Sequence, residues 1–282
     1  MLLSIYTYVK NGIYQDYHIV DMLKHHLPLA DEIVVNEGHS TDGTFEQISN
    51  LDPKIRIFRT PWREMKADKV FWHITLKDAA RREAKGQWCL HLDADEFIPE
   101  WEFAPIRDYL VRATETMIPV HFVNFYGNYK VYHAHPEKVN SPPRKMILHR
   151  NIPEIEFWGD GANIRLKDTR LDWSTTPVAF TCHHFGGVRN PARLRHGWHL
   201  QAALYKPKRR WFTIPRFLFD WFPHDWFDPQ FLDGLALYEG PYIRAVRENP
   251  VEFIRDNMSL YDYLMRRKSK CGSASPALDA SR

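Results

Sequence analysis

Cysteine is scarce in this sequence: Cys89, Cys182 and Cys271 are the only three in 282 residues, they lie far apart, and no CxxC pair occurs. A disulfide framework and a zinc knuckle are thereby excluded, and a reducing compartment is expected. Long apolar runs are missing too. None approaches the roughly 18 residues of a membrane span, so the chain is expected not to cross a bilayer. The opening MLLSIYTYVKNG has neither the basic start nor the apolar stretch of a secretion signal. An excess of one charge is also lacking. Lys and Arg number 38 against 35 Asp and Glu, a net charge of +3, which argues against a tail-driven binder of polyanions. What is present is ordinary in bulk: 44% hydrophobic and 26% charged residues, enough for one or two domains with a sizeable core. Only the 10 Trp and 15 His stand out.

The first hundred residues alternate strand and helix signals. Strands are expected over 2–9, 32–35, 55–59 and 88–92, and helices over 14–26, 44–51 and 68–85, the last ended by Gly86. Strands separated by helices imply a parallel sheet covered on both faces. Ligands of such sheets bind beyond the carboxyl ends of the strands, which selects three loops: 7–12, 37–44 and 93–96. Beyond residue 100 the pattern is less regular. Strands are expected over 117–126, 129–133, 145–149, 162–166 and 177–183, then helices rich in aromatics and Pro over 190–265. The division that follows is 1–188 as the ligand-binding and catalytic domain, 189–267 as a helical extension, and 268–282 as a disordered polar tail.

Two motifs carry chemistry. Asp93-Ala94-Asp95-Glu96 follows an apolar strand. Carboxylates at i and i+2 where a strand frays can converge on one hard divalent cation, which shares its oxygens with substrate phosphates. The plain alternative is a solvated acidic turn. Glu37-Gly-His-Ser-Thr-Asp-Gly-Thr44 follows the second strand. Gly38 and Gly43 permit close approach of a ligand, and Thr41 or Asp42 suits a helix cap. A plain turn with its cap accounts for that segment equally well.

Taken together, these pieces resemble the family 2 glycosyltransferases. Ser4-Ile-Tyr-Thr-Tyr-Val-Lys-Asn11 matches the family's opening strand and turn. Val35-Asn-Glu-Gly-His-Ser-Thr-Asp-Gly-Thr44 matches its second-strand signature, with Glu37 where the family usually has Asp. Asp78-Ala-Ala-Arg-Arg-Glu-Ala-Lys-Gly-Gln-Trp88 and then Asp93–Glu96 complete the order. The resemblance implies a GT-A (Rossmann-like) α/β fold with a mostly parallel sheet flanked by helices and a helical, aromatic-rich C-terminal extension. It implies transfer of a hexosyl group from a UDP- or GDP-sugar to a hydroxyl acceptor, inverting, with Mn²⁺ or Mg²⁺ as cofactor. Thr7, Tyr8, Lys10, Glu37, Asp42, Asp93 and Ala94 would line the nucleotide-sugar site, Glu37 reading the base edge. Asp93 and Asp95 would hold the metal, joined by His184 of Thr181-Cys-His-His-Phe-Gly-Gly-Val-Arg189, with His183 as the alternative. The proton acceptor would be Asp160 or Glu156, with Glu154 nearby.

Residues 185–219 contain no Asp or Glu but hold Arg189, Arg193, Arg195, Lys206, Lys208, Arg209, Arg210 and Arg216 among aromatics. An electropositive lid over a diphosphate, docking on an anionic membrane or lipid-linked acceptor, and a solvated basic helix over an aromatic core all suit this composition. Nucleic acid is set aside, because no recognition motif accompanies the charge. Trp62, Trp72, Trp101 and Trp158 are candidates for stacking on sugar faces, or for plain core. The expected setting is cytoplasmic, at most peripheral on the inner membrane face, in surface-glycan synthesis. Two other classes are weighed against this one. A nucleotidyltransferase of related topology would show a Gly-rich phosphate loop near the N-terminus, and none is seen. A non-catalytic nucleotide-sugar-binding module would be expected to lack the paired aspartates.

Overall fold

A computed structural model describes residues 1–61, 72–135, 143–158, 161–170, 180–205, 217–232 and 234–272. The first half runs β1 (Leu3–Val9), α1 (Ile19–His26), β2 (Glu32–Glu37), α2 (Thr44–Ile48), β3 (Ile55–Arg59), α3 (Trp72–Glu83), β4 (Trp88–His91), β5 (Glu96–Phe97) and α4 (Phe103–Arg112). β1, β2 and β4 are buried along nearly their whole length, as apolar strands covered on both faces must be. α1 begins later than periodicity suggests. Asp16 sits at a φ of 56°, and a left-handed residue cannot continue a right-handed helix.

β4, β1, β2 and β3 lie side by side and parallel in that order. Sheet growth therefore reverses between β1 and β4, and the crevice opened by such a switch lies at the carboxyl ends of those two strands. The second half runs β6 (Met117–Tyr126), β7 (Asn128–His133), β8 (Arg144–Arg150), β9 (Ile155–Trp158), β10 (Asn163–Leu166), β11 (Phe180–Gly187), α5 (Pro191–Tyr205), α6 (Phe217–Trp221), α7 (Pro229–Leu232), β12 (Leu235–Leu237), α8 (Arg244–Glu248) and α9 (Ser259–Gly272). β8 continues the sheet antiparallel to β4, and β6 pairs antiparallel with β8. β6 thus points the same way as β4. β11 runs parallel to β6 and also pairs antiparallel with the short β5. The ends of β6 and β11 are thereby delivered to the same edge as those of β1 and β4. β9 and β10 form a separate hairpin, whose Ile155, Phe157 and Ile164 pack on Tyr6, Val34 and Ala80.

The C-terminal extension is helical, as expected, and it is also stitched into the sheet. β12 pairs with β7, and Ile254 bridges to Asn128. Ile243, Val246 and Phe253 belong to the main core. α9 runs on to Gly272, past residue 268 where a polar tail was expected to begin; residues 273–282 lie outside the described residues.

The histidine surplus has a structural answer. Burial pushes His18, His25, His133, His149 and His224 down to about 4, so they serve as neutral aromatic fillers near pH 7. His18 lies flat on Phe253 at 4.5 Å between centroids, and His25 bonds the Ile98 carbonyl at 2.8 Å. Cys89 and Cys182 are buried free thiols.

One ion pair ties the two ends of the described chain. Arg255 donates to both oxygens of Asp16, at 2.7 and 3.0 Å, and Asn190 N–H bonds the same carboxylate. Burial would raise the Asp16 pKa, but Arg255 hydrogen bonding and charge hold it below the usual range. A carboxyl depressed in the folded state contributes stability above its unfolded pKa of about 4, lost as pH falls through the folded value. Arg255→Met is therefore expected to lower the midpoint of urea unfolding at pH 7 and to lose less further stability than wild type between pH 4 and pH 2.

Candidate active site at the sheet switch point

The loops after β1 and β2 are laced into one rim. Asn11 N–H donates to Ser40 Oγ at 2.8 Å, and Thr41 N–H donates to Asn11 Oδ1 at 2.9 Å. Tyr14 N–H donates to Asp42 Oδ2 at 2.7 Å and Gly38 N–H to the Val9 carbonyl at 2.8 Å. Asp42 Oδ1 also takes the Thr44 hydroxyl and N–H. The Gly43 φ of 88° turns the chain into α2, a conformation glycine adopts without the cost of a Cβ. Asp42 thus serves the rim's architecture.

Glu37 does the same. Its side chain is fully buried, accepting from Ser40 N–H at 2.6 Å, His39 N–H at 3.1 Å and Arg59 Nε at 2.6 Å. Burial alone would raise its pKa, but Ser40 and Arg59 hold it down. Glu37 is the residue expected to read a base edge. Its carboxylate is turned into its own loop, because the longer Glu side chain reaches back to the turn and to Arg59. Thr7 is buried, and its hydroxyl has no partner among the described residues, while Tyr8 and Lys10 are half-buried at the end of β1.

Across the switch point, Asp93 leaves β4. Lys77, buried on α3, places Nζ 3.3 Å from Asp93 Oδ1 and 3.0 Å from the Gly161 carbonyl, above the Tyr8 ring at 5.5 Å. Burial would raise Asp93, but the Lys77 ammonium, then His91 and Lys145, hold it far below the carboxylate range. Glu96 is buried and takes Lys145 Nζ at 2.7 Å and the Asp93 N–H at 2.9 Å. Ligand atoms of His91, Asp93 and Glu96 lie within 4.8 Å of one another, yet this set already has two ammonium ions facing it.

Asp95 is served differently. It is buried beside His184, whose Nε2 lies 3.6 Å from Asp95 Oδ1. Pairing of β5 with β11 sets His184 opposite Glu96 and His183 opposite Phe97. Strand alternation then turns the two histidines to opposite faces. His183 packs among Phe125, Trp101 and Tyr238, with burial holding it down at about 3. His184 faces the acidic turn. The Asp95 carboxyl is raised by burial, pulled back by His184, and raised again by Asp93 and Glu96. A Cβ on Gly186 would stand 2.4 Å from His184 Nε2 and 3.3 Å from Asp95 Oδ2. Glycine thus keeps a cradle open between a nitrogen and an oxygen donor, a set that suits a divalent metal and favours Mn²⁺ over Mg²⁺. Ala94 is buried between the two aspartates.

The expected bases fare unequally. Glu156 alternates with Ile155 and Phe157, which face the core, so it lies on the hairpin's outer side, held by Arg165 at 2.8 Å. This is where the second of the expected bases stands. Glu154 is exposed in the turn before β9. Asp160 lies outside the described residues, although Gly161 beside it anchors on Lys77. Of the stacking candidates, Trp62 lies outside them too, and so does the Trp72 side chain; Trp101 and Trp158 are exposed at 40% and 46%. The described arginines of the basic segment are turned onto the protein itself. Arg189 stacks on Tyr17, Arg193 pairs with Asp220 at 3.1 Å, and Arg195 bonds the Phe222 carbonyl at 2.7 Å. Lys206, Lys208, Arg209, Arg210 and Arg216 lie outside the described residues.

The sequence model described as Glycosyl transferase family 2 matches residues 18–192. The chain belongs to this family. No curated protein matches it. Among solved structures, Staphylococcus aureus TarS 1-349 is similar at 13% identity, covering 78% of this chain and 68% of that one, with a TM-score of 0.41. Against S. aureus TarS the match spans 42% of that chain. Glucosyl-3-phosphoglycerate synthase from Mycobacterium tuberculosis, in complex with Mn²⁺, UDP and glucosyl-3-phosphoglycerate, is similar at 19% identity over 44% of each chain, with a TM-score of 0.32. The family's α/β architecture is the one observed, and the chain is a glycosyltransferase of family 2 by descent.

Sequence reading missed Lys77, Lys145 and Gly186. Lys77 left one signal, a cation on the stripe Ile74, Lys77, Arg81, Ala84 where an amphipathic helix would bury apolar residues. Removing it strands a carboxylate and a carbonyl. Lys77→Met is expected to cost about 2–3 kcal/mol of stability, read from urea unfolding at pH 7.

Proposed function

We propose that this protein transfers a sugar from a nucleoside-diphosphate sugar to a hydroxyl acceptor, with inversion, at a divalent cation held by Asp95 and His184. The observation carrying this reading is their meeting across the β5–β11 pair around the gap that Gly186 leaves. Asp93 lies on the other arm of the turn, facing the donor side with Lys77. A bound Mn²⁺ or Mg²⁺ would offset the negative charge that develops on the departing diphosphate.

The remaining steps belong to the chain's own groups. The laced rim of 7–14 and 37–44 holds the nucleotide against the end of β1, with Thr7, Tyr8 and Lys10 facing it. Its buried Thr7 hydroxyl, without a partner among the described residues, would bond the ligand. Lys77 keeps Asp93 ionised and in place. The acceptor hydroxyl gives its proton to a carboxylate within hydrogen-bond reach, a role for which Asp160 remains the candidate. The donor is a UDP- or GDP-sugar, and the acceptor a glycan or lipid-linked glycan. Trp221 and Phe222, exposed at 75% and 62% on the extension, suit a peripheral contact with a membrane carrying such an acceptor. Among the described residues no helix is long and apolar enough to cross a membrane.

Asp95→Ala is expected to lower Mn²⁺-dependent transfer at least about 100-fold while leaving the circular dichroism spectrum unchanged; undiminished turnover in a folded variant would end the metal reading. A panel of nucleotide sugars with Mn²⁺ should raise the wild-type melting temperature for one donor, by about 2.7 kcal/mol of added stability at 100 times its dissociation constant. No shift with any donor would leave the rim without its assigned ligand.

A further inference from the structure

Asn124 stands on β6 at the register position facing His184 on β11, and it is buried. Its Oδ1 lies 2.8 Å from His184 Nδ1. An amide oxygen only accepts, so Nδ1 carries the ring hydrogen and donates it. Nε2 is then the nitrogen with the free lone pair, and Nε2 is the atom beside Asp95. The amide nitrogen of Asn124 is buried with no partner among the described residues. A buried orphan donor is a cost that an apolar residue of similar size would avoid. The oxygen must therefore repay what the nitrogen loses.

We infer that Asn124 is a positioning residue that fixes the tautomer and ring orientation of His184, so that Nε2 presents its lone pair to the cation, and that it thereby sets the preference for Mn²⁺ over Mg²⁺. This rests on the reading of His184 as a metal ligand. A ligating imidazole whose other N–H is held by an acceptor keeps its tautomer, and loss of that acceptor typically weakens metal binding about 10–100-fold. β6 is well suited to the task. It pairs with β11 from Phe180 to His184, so the acceptor sits on a rigid strand.

The test is Mn²⁺ affinity of the full chain, measured without donor or acceptor from the electron paramagnetic resonance signal of free Mn²⁺. Asn124→Leu, which keeps the volume and removes the acceptor, is expected to weaken Mn²⁺ at least about 10-fold and Mg²⁺, read by competition, by less. Asn124→Asp, which keeps an acceptor at the same place, is expected to bind Mn²⁺ as tightly as wild type or tighter, and it decides the matter if the leucine variant does not fold. Wild-type Mn²⁺ affinity in a folded Asn124→Leu, or a 10-fold loss in a folded Asn124→Asp, would overturn the inference. His184→Ala separates the two claims. Loss of Mn²⁺ there with none in Asn124→Leu sinks the role of Asn124 alone, whereas undiminished binding in His184→Ala removes the metal reading beneath it.

Discussion

Asp93, Asp95 and Glu96 crowd three carboxylates into four residues at one edge of a sheet, largely out of water. Burial penalises an ionised carboxylate, and neighbouring carboxylates add to the penalty. Each must therefore meet positive charge or take up a proton. Two are answered from within the fold, Asp93 by Lys77 and Glu96 by Lys145. The third has no ammonium beside it among the described residues: it meets the His184 imidazole at 3.6 Å and, more weakly, the charge of Arg189. The asymmetry is what the proposed cation site rests on: two acids are spent on holding the turn, while Asp95 has no ammonium of its own among the described residues.

That division depends on strand register. A slip of one residue in β11 would put His183 where His184 stands, because side chains alternate faces with a period of two. The aromatic bed under His183, with Phe125 stacked on Phe185 at 4.6 Å and Tyr238 on its edge, penalises such a slip. β5 contributes only two residues, yet it aligns Glu96 with His184 and so carries Asp95 into place. The site is thus held by the packing behind it as much as by the polar groups that line it.

Much of this was legible from residues alone. The parallel strands announced themselves as apolar runs, and the carboxyl-end rule picked out the loop of Asp93 and Asp95, whereas His184 was named only through the family resemblance. The pieces that were not legible are those set by contacts distant in sequence. Nothing local tells that Lys77 will meet Asp93, or that Asn124 will face His184 across a parallel pair. The hydrogen bonds of Glu37 to His39, Ser40 and Arg59 were not legible either, because they depend on how the side chain folds back onto its own turn. Nor was the pairing of Glu156 with Arg165, which two-residue alternation within a short hairpin decides. The extension looked separable because its helices dominate the pattern, while the three residues of β12 that join it to the sheet are too short to register.

The pair of Asp16 and Arg255 spans 239 positions. It braces the loop after β1 that also receives Arg189 and Asn190. During synthesis the strands of the first half emerge long before the residue that clamps their rim. The nascent domain must pass through a stage in which the sheet can form while the cleft is still open at that corner. Closing so long a loop is entropically late in folding. The pocket is therefore finished last, and a fragment ending at residue 188 would hold the acidic turn and its histidine without the clasp that shapes their neighbouring rim.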